Sequence, residues 1–132
     1  VLDLFAGTGA LGLEALSRGA QEVCFVENGR AAQRLIAQNI ETLGLKDHVT
    51  LMRNDATRLG AWPDAGFDLV FLDPPYGKDM GSVALEAALA GGWLAEDALV
   101  VWEENAEQVA PHGFEMLDAR KYGDTWVHIL TR

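Results

Sequence analysis

A carboxylate followed at once by two prolines and a ring, Asp73-Pro74-Pro75-Tyr76, ends the run Phe67-Asp68-Leu69-Val70-Phe71-Leu72. That run is mostly apolar and reads as a buried strand closed by a turn. Proline locks its own φ and restrains the residue before it, so Asp73 and the turn keep little freedom. A fixed hydrogen-bond acceptor beside a planar ring suits an amino group on a flat nucleobase. The motif therefore points to chemistry on nucleic acid.

A second constellation precedes it. Phe5-Ala6-Gly7-Thr8-Gly9-Ala10-Leu11-Gly12 places Gly7, Gly9 and Gly12 in the spacing G-x-G-x-x-G, with an acidic residue, Glu27, about twenty residues on. The spacing fits either NAD or S-adenosylmethionine, because both need close backbone approach and a carboxylate for ribose hydroxyls. Charge separates the two. A dinucleotide sets an anionic pyrophosphate at the N-terminus of the helix, where the carboxylate of Asp3 would oppose it. S-adenosylmethionine has no phosphate and carries a sulfonium and an ammonium that Asp3 favours. Two unit charges ~4 Å apart interact by ~4 kcal/mol at an effective dielectric of ~20, so the sign decides. Asn54-Asp55-Ala56 supplies a third contact, with Asp55 as an acceptor for the adenine amino group.

These groups need a scaffold, and the pattern supplies one. Strands are expected at 1–4, 22–27, 49–53, 67–72 and 98–102, alternating with helices at 10–18, around 32–43 and at 80–90. Gly19, Gly44 and Gly91-Gly92 stop the helices. Segments 114–122 and 125–131 read as strands joined by Gly123-Asp124, a loop suited to a tight hairpin. Alternating βα units ending in a hairpin imply an α/β sandwich, residues 1–132 as one domain, with a mostly parallel sheet and one antiparallel strand.

With 132 residues and 49% hydrophobic content, the chain can build an ordinary core. No apolar run approaches a membrane span and no signal-peptide pattern opens the chain, so a cytoplasmic protein is expected. Cys24 is the only cysteine, which leaves no disulfide framework and no zinc cluster; it reads as a small core residue. His48, His112 and His128 lack metal-ligand spacing, and no metal is expected. Trp62, Trp93, Trp102 and Trp126 read as packing residues, and Glu103-Glu104 as a solvated strand end. Opening inside a strand and without Met, the chain reads as lacking an N-terminal segment. The formal charge of -10, from 10 Lys and Arg against 20 Asp and Glu, is wrong for a stand-alone nucleic-acid binder. Either the basic surface lies in that segment or the substrate is not a polyanion. Lys78, Arg53, Arg58, Arg120 and Lys121 are candidates for phosphate contact, though no periodic basic stripe joins them.

The stretch Val1 to Ala20, together with Val26-Glu27, Asn39, Asn54-Asp55-Ala56 and Phe67 to Tyr76, resembles the catalytic domain of the bacterial RsmD family. These are 16S ribosomal RNA guanine-N2 methyltransferases, and the likeness runs to the C-terminal hairpin. It implies a Rossmann-like class I methyltransferase sandwich with a seven-stranded sheet, S-adenosyl-L-methionine as cofactor, and 16S rRNA or the small ribosomal subunit as partner. No oligomer is implied. It also implies residue roles: Asp3, Gly7 and Gly9 at the methionine end, Glu27 at the ribose, Asp55 with Ala56 at the adenine. Phe5, Ala6 and Asn28 flank the same cofactor site. Asp73, Pro74, Pro75 and Tyr76 would form the target-amine site, with Asp73 also bordering the cofactor. Two alternatives stay open: an adenine amino-methyltransferase acting on DNA, and a non-catalytic cofactor-binding module. An NAD oxidoreductase is disfavoured by Asp3 and by the lack of any hydride-handling constellation.

Overall fold

The computed structural model describes residues 1–132. In chain order the elements are β1 (Leu2–Leu4), α1 (Ala10–Ser17), β2 (Val23–Val26), α2 (Arg30–Leu43), β3 (Val49–Met52), β4 (Phe67–Leu72), α3 (Met80–Ala90), β5 (Leu94–Glu104), β6 (Glu115–Tyr122) and β7 (Thr125–Thr131). Short 3-10 turns at Lys46–His48 and Ala56–Arg58 flank β3. The seven strands form one sheet in the order β3-β2-β1-β4-β5-β7-β6. The first five run parallel, and β7 is antiparallel to both of its neighbours, β5 and β6. The expected mixed α/β sheet is therefore present, with its one antiparallel strand.

Burial on both faces explains why the central strands are short and apolar. Along β2, Val23 and Phe25 point to one side and meet Ile36 and Ile40 of α2, with Leu13 and Leu16 of α1 packed alongside. Cys24 and Val26 point the other way into a larger core with Leu2, Leu4, Val70, Leu72, Val100 and Trp102, which Ala84, Leu85 and Ala88 of α3 cover. Cys24 is buried there, as expected, and loss of solvation pushes its thiol pKa up to about 12. Gly12 is the residue that lets α1 sit against β2. A Cβ there would run into the Phe25 ring and lie 2.8 Å from a Val23 methyl.

Most boundaries fall within one or two residues of the sequence reading, and β5 departs furthest. Strand β5 starts at Leu94, not at residue 98, and extends to Glu104. Glu96 and Asp97 break the apolar alternation because the strand is irregular there: Asp97 takes φ 60 and the register with β4 shifts between Phe67 and Leu69. The tail strand β6 begins at Glu115, one residue later than expected. The hairpin itself is as expected, with Tyr122 facing Thr125 across Gly123-Asp124 and Gly123 at φ 61.

The tryptophans pack. Trp62 stacks on Trp93 with ring centroids 4.6 Å apart, and Trp102 lies fully inside. His128 is also structural: Nδ1 lies 3.0 Å from the Trp102 carbonyl, and the Gln108 N–H donates to Nε2 at 2.9 Å. No helix is long and apolar enough to cross a membrane.

Candidate active site

In open α/β sheets the loops leaving the C-terminal strand ends build the ligand site. Here β1 delivers Phe5 to Gly9, β2 delivers Glu27 and Asn28, β3 delivers Asp55 and Ala56, and β4 delivers Asp73 to Tyr76. Phe5, Glu27, Asn28, Asp73, Pro74, Pro75 and Tyr76 line one open cleft of about 440 Å³. Phe5 of the glycine loop and the proline turn, far apart in sequence, thus border the same cleft. Phe5 takes φ 57, an unusual backbone state for a bulky residue, where the chain leaves β1 and bends into the glycine loop.

Glu27 organises the glycine-loop side. Its Oε1 accepts from the Gly7 N–H at 2.8 Å and its Oε2 accepts from the Gly29 N–H at 2.8 Å. Its own carbonyl accepts from the Gln33 side chain at 2.9 Å, which ties the loop to α2. Each carboxylate oxygen keeps a lone pair for a further donor. Gly7 needs to be glycine for its φ of 60, since a Cβ there would meet nothing within 4 Å.

Asp3 does not reach this cleft in the structure. It lies on the strand face that α1 covers, is 3% exposed, and its Oδ2 accepts from the Gly12 N–H at 3.1 Å. Helix α1 is capped by Gly9, which has no side chain to offer. Asp3 therefore supplies from β1 the acceptor that the first turn of α1 lacks. Burial raises its pKa to about 7; the Gly12 hydrogen bond opposes that shift, and the negative charges of Asp73 and Glu27 add to it.

Asp55 and Ala56 stand on the next loop, outside the 440 Å³ cleft. Asp55 caps its 3-10 turn, with Oδ1 accepting from the Thr57 N–H at 2.9 Å and the Thr57 hydroxyl at 2.7 Å. The Thr57 hydrogen bonds hold its carboxyl below the usual range, so it is a committed anion. Ala56 is buried under it. Of the remaining glycine-loop residues, Ala6 donates its N–H to the Val26 carbonyl and accepts from the Gly9 N–H, which closes the turn.

On the other side of the cleft, Pro74 is buried and holds the turn, while Asp73 and Tyr76 face solvent. Tyr76 is 45% exposed, so its ring is not part of the core. Asp73 accepts no hydrogen bond from the protein, and partial desolvation raises its pKa.

The expectation that Glu103-Glu104 is a solvated strand end is overturned for Glu104. It is 3% exposed, and its Oε2 accepts from the Trp102 indole N–H at 3.0 Å. Burial raises its pKa, with the charges of Asp73 and Asp79 adding to the shift against the Trp102 hydrogen bond. The signal was present in the chain: Ala98, Val100, Trp102 and Glu104 alternate on one strand face, and that face is the core side. Glu103 points the other way, and burial together with Asp73 raises its pKa also. A separate cavity of about 470 Å³, lined by Glu22, His48, Trp62 and Asp64 among others, lies at the opposite strand ends and shares no residue with this cleft.

Comparison with known proteins gives the same architecture. Residues 1–131 match the family model described as Conserved hypothetical protein 95. YlbH of Bacillus subtilis is 39% identical over 134 residues, spanning 97% of this chain and 73% of that protein. The ribosomal RNA small subunit methyltransferase D of Escherichia coli is 34% identical over 110 residues, covering 83% of this chain and 55% of that one. Among solved structures, the Haemophilus influenzae protein HI0767 superposes with a TM-score of 0.89 at 27% identity, covering 98% of this chain and 84% of that one. Escherichia coli yhhF does so with a TM-score of 0.86 at 30% identity, covering 99% and 73%. The chain thus spans between about half and three quarters of the length of the two curated relatives.

Proposed function

The chain belongs to the Conserved hypothetical protein 95 family, and from that premise we propose that it transfers a methyl group from S-adenosylmethionine to the exocyclic N2 amine of a guanine in 16S ribosomal RNA. The observation that carries this reading is the shared cleft: Glu27 and Asn28 on one wall, Asp73 to Tyr76 on the other. Small-subunit ribosomal RNA as substrate follows the name of the Escherichia coli relative, and the guanine N2 position follows the family resemblance alone.

The residues present suit a cationic cofactor. Asp73 and Glu27 both raise the pKa of the buried Asp3, so the cleft holds negative charges that repel one another. A sulfonium and an ammonium relieve that repulsion, whereas a pyrophosphate would add to it. Glu27 is the acceptor for ribose hydroxyls, and Asp55 with the Ala56 N–H recognises the adenine edge. Phe5, Ala6, Gly7 and Gly9 form the backbone wall at the methionine end, with Asp3 beneath them.

When bound, S-adenosylmethionine supplies a methyl group already activated by its positive sulfur. The residues then have a positioning task. The guanine amine shares its lone pair with the ring and attacks poorly. Asp73 and the Pro74 carbonyl accept its hydrogens and draw the nitrogen toward tetrahedral geometry. One hydrogen bond to a charged group contributes ~1.5–3 kcal/mol, while alignment of the reacting atoms supplies up to ~7–11 kcal/mol. Positioning is the larger effect. Asp73 would accept the proton that the amine gives up on methylation. The target base must leave its stack to enter the cleft, and Tyr76 stacks on it for ~1–3 kcal/mol.

The test incubates the full-length protein with labelled cofactor and naked 16S rRNA, assembled small subunits or DNA, and maps the label. Label on guanine N2 of 16S rRNA is expected. Label on adenine in DNA only would replace this reading with the DNA alternative.

A further inference from the structure

Six of the ten Lys and Arg residues, Arg30, Arg53, Arg58, Lys78, Arg120 and Lys121, stand at the same end of the sheet as the cleft. Four are there because they follow β2, β3 and β4 directly. The other two are brought there by register. Arg120 and Glu103 both face Val127, and Lys121 and Glu104 both face Trp126, so the β6–β7 hairpin tip is level with the loop that carries Asp73. The opposite strand ends carry Glu22, Asp47, Asp64, Asp68, Glu96 and Asp97, with Lys46 and Arg132 among them.

The charges at the cleft end are sorted again by strand. Glu27, Asp73, Asp79, Glu103 and Glu104 follow or end the inner strands β2, β4 and β5 against Arg30 and Lys78, whereas Arg53 and Arg58 stand with Asp55 at the β3 edge and Arg120 and Lys121 with Asp118 and Asp124 on the β6–β7 hairpin. All four edge cations are exposed. Arg120 pairs with Asp118 at 2.8 Å and Arg58 lies close enough to Asp55 to help lower its pKa, whereas Arg53 and Lys121 form no ion pair. Tyr122, beside Lys121, is 60% exposed. Six strand spacings separate the two edges, ~29 Å at ~4.8 Å each.

We propose that the two sheet edges are phosphate-binding flanks for one structured RNA that straddles the acidic cleft, with the β6–β7 hairpin tip as the outer flank. The proposal rests on the function proposed above and adds to it where the RNA backbone is held. The arrangement reconciles a net charge of -10 with a polyanionic substrate. Carboxylates outnumber cations at the centre, where a cationic cofactor needs them, and at the edges the cations match or outnumber the acids, where phosphates pass. A lone nucleotide cannot reach both edges, so it gains neither counterion release nor orientation from them.

The experiment uses the full-length protein and measures methyl transfer to 16S rRNA against salt concentration. For Arg120→Gln with Lys121→Gln we expect KM for RNA to rise about 10-fold, with kcat and cofactor Kd within 2-fold. The slope of log KM against log salt should flatten by roughly 1–2, since each lost phosphate contact removes about 0.7–0.9. Arg53→Gln should act the same way at half the slope. Lys46→Gln with Arg132→Gln, at the opposite end, should leave KM and slope at wild-type values. A hairpin variant that keeps wild-type KM and slope while the wild type methylates RNA overturns the proposal. So does an equal loss from the opposite-end variant. A wild type that methylates no RNA overturns the proposed function itself, which separates the two failures. Unchanged melting temperatures show that each variant is folded.

Discussion

The glycine loop and the proline turn face each other across one cleft, and their polar groups are engaged to very different degrees. In the glycine loop, Gly7 already donates to Glu27, which Gly29 before α2 also serves, and Gly12 donates to Asp3. In the proline turn, Asp73 accepts nothing from the protein and Tyr76 faces solvent. The first is a backbone cradle held by internal carboxylates. The second is an acceptor fixed by ring constraints and left free for a partner. The contrast teaches two ways of fixing a wall: the glycine-loop side is preorganised by hydrogen bonds, and the proline turn by ring stiffness.

That contrast can be broken at its strongest point first. Asp73→Ala should reduce turnover ~100-fold or more, from the loss of ~3 kcal/mol at the amine, and leave cofactor Kd within a few-fold. Turnover assays beside calorimetry check both halves; a near-normal rate would end the assignment of Asp73 to the target amine. Glu27→Ala should do the converse and more broadly. It removes the acceptor for two backbone amides and for the ribose, so cofactor Kd should weaken ~10–100-fold, and unchanged affinity by calorimetry would contradict the ribose role.

A pH series sharpens the comparison at Asp3. Its carboxyl binds a proton up to about pH 7 in the folded chain, against 3.8 for an ordinary aspartate. A cationic cofactor favours the ionised form, so binding should release a proton below that pH. Affinity should therefore rise as pH climbs from 6 to 8, by at most about tenfold per unit below the folded pKa. Stability of the unliganded protein should move the other way. The folded state binds the extra proton between pH 4 and 7, so that stabilisation is present at the low end and is lost as pH rises through 7. Calorimetric titrations and melting curves at matched pH values test the two signs together.

The smallest effect on chemistry is expected at Glu104, which touches neither wall of the cleft. Glu104→Ala strands the Trp102 N–H in the core at a cost of ~1–3 kcal/mol. Melting temperature should fall while turnover at 25 °C stays within a few-fold. A large loss of turnover without a loss of stability would instead draw Glu104 into the active site.

Much of this was legible in the chain. Gly123-Asp124 announced the hairpin, and the apolar run before Asp73 announced β4, because turn chemistry and burial are local. Glu104 was misread because two adjacent glutamates look solvated unless the strand alternation is followed from Ala98. Asp3 was legible as a carboxylate near the glycine loop. Its capping of α1 depends on which face of β1 it occupies, and that becomes apparent only once the helix is laid down. The flanking cations were legible as candidates for phosphate contact, but not their placement on two edges. Arg53 and Lys121 are separated by most of the chain, and only strand order and register set them on the two edges of one surface.

The solitary thiol has a practical use. Cys24 is enclosed between β1 and β3, and its pKa of about 12 keeps it protonated at any ordinary labelling pH. Maleimide dyes will leave the native chain untouched. A single reporter placed by Tyr122→Cys at the hairpin, or by Arg53→Cys at the far edge, would carry the only dye in the molecule, ready to signal when nucleic acid arrives.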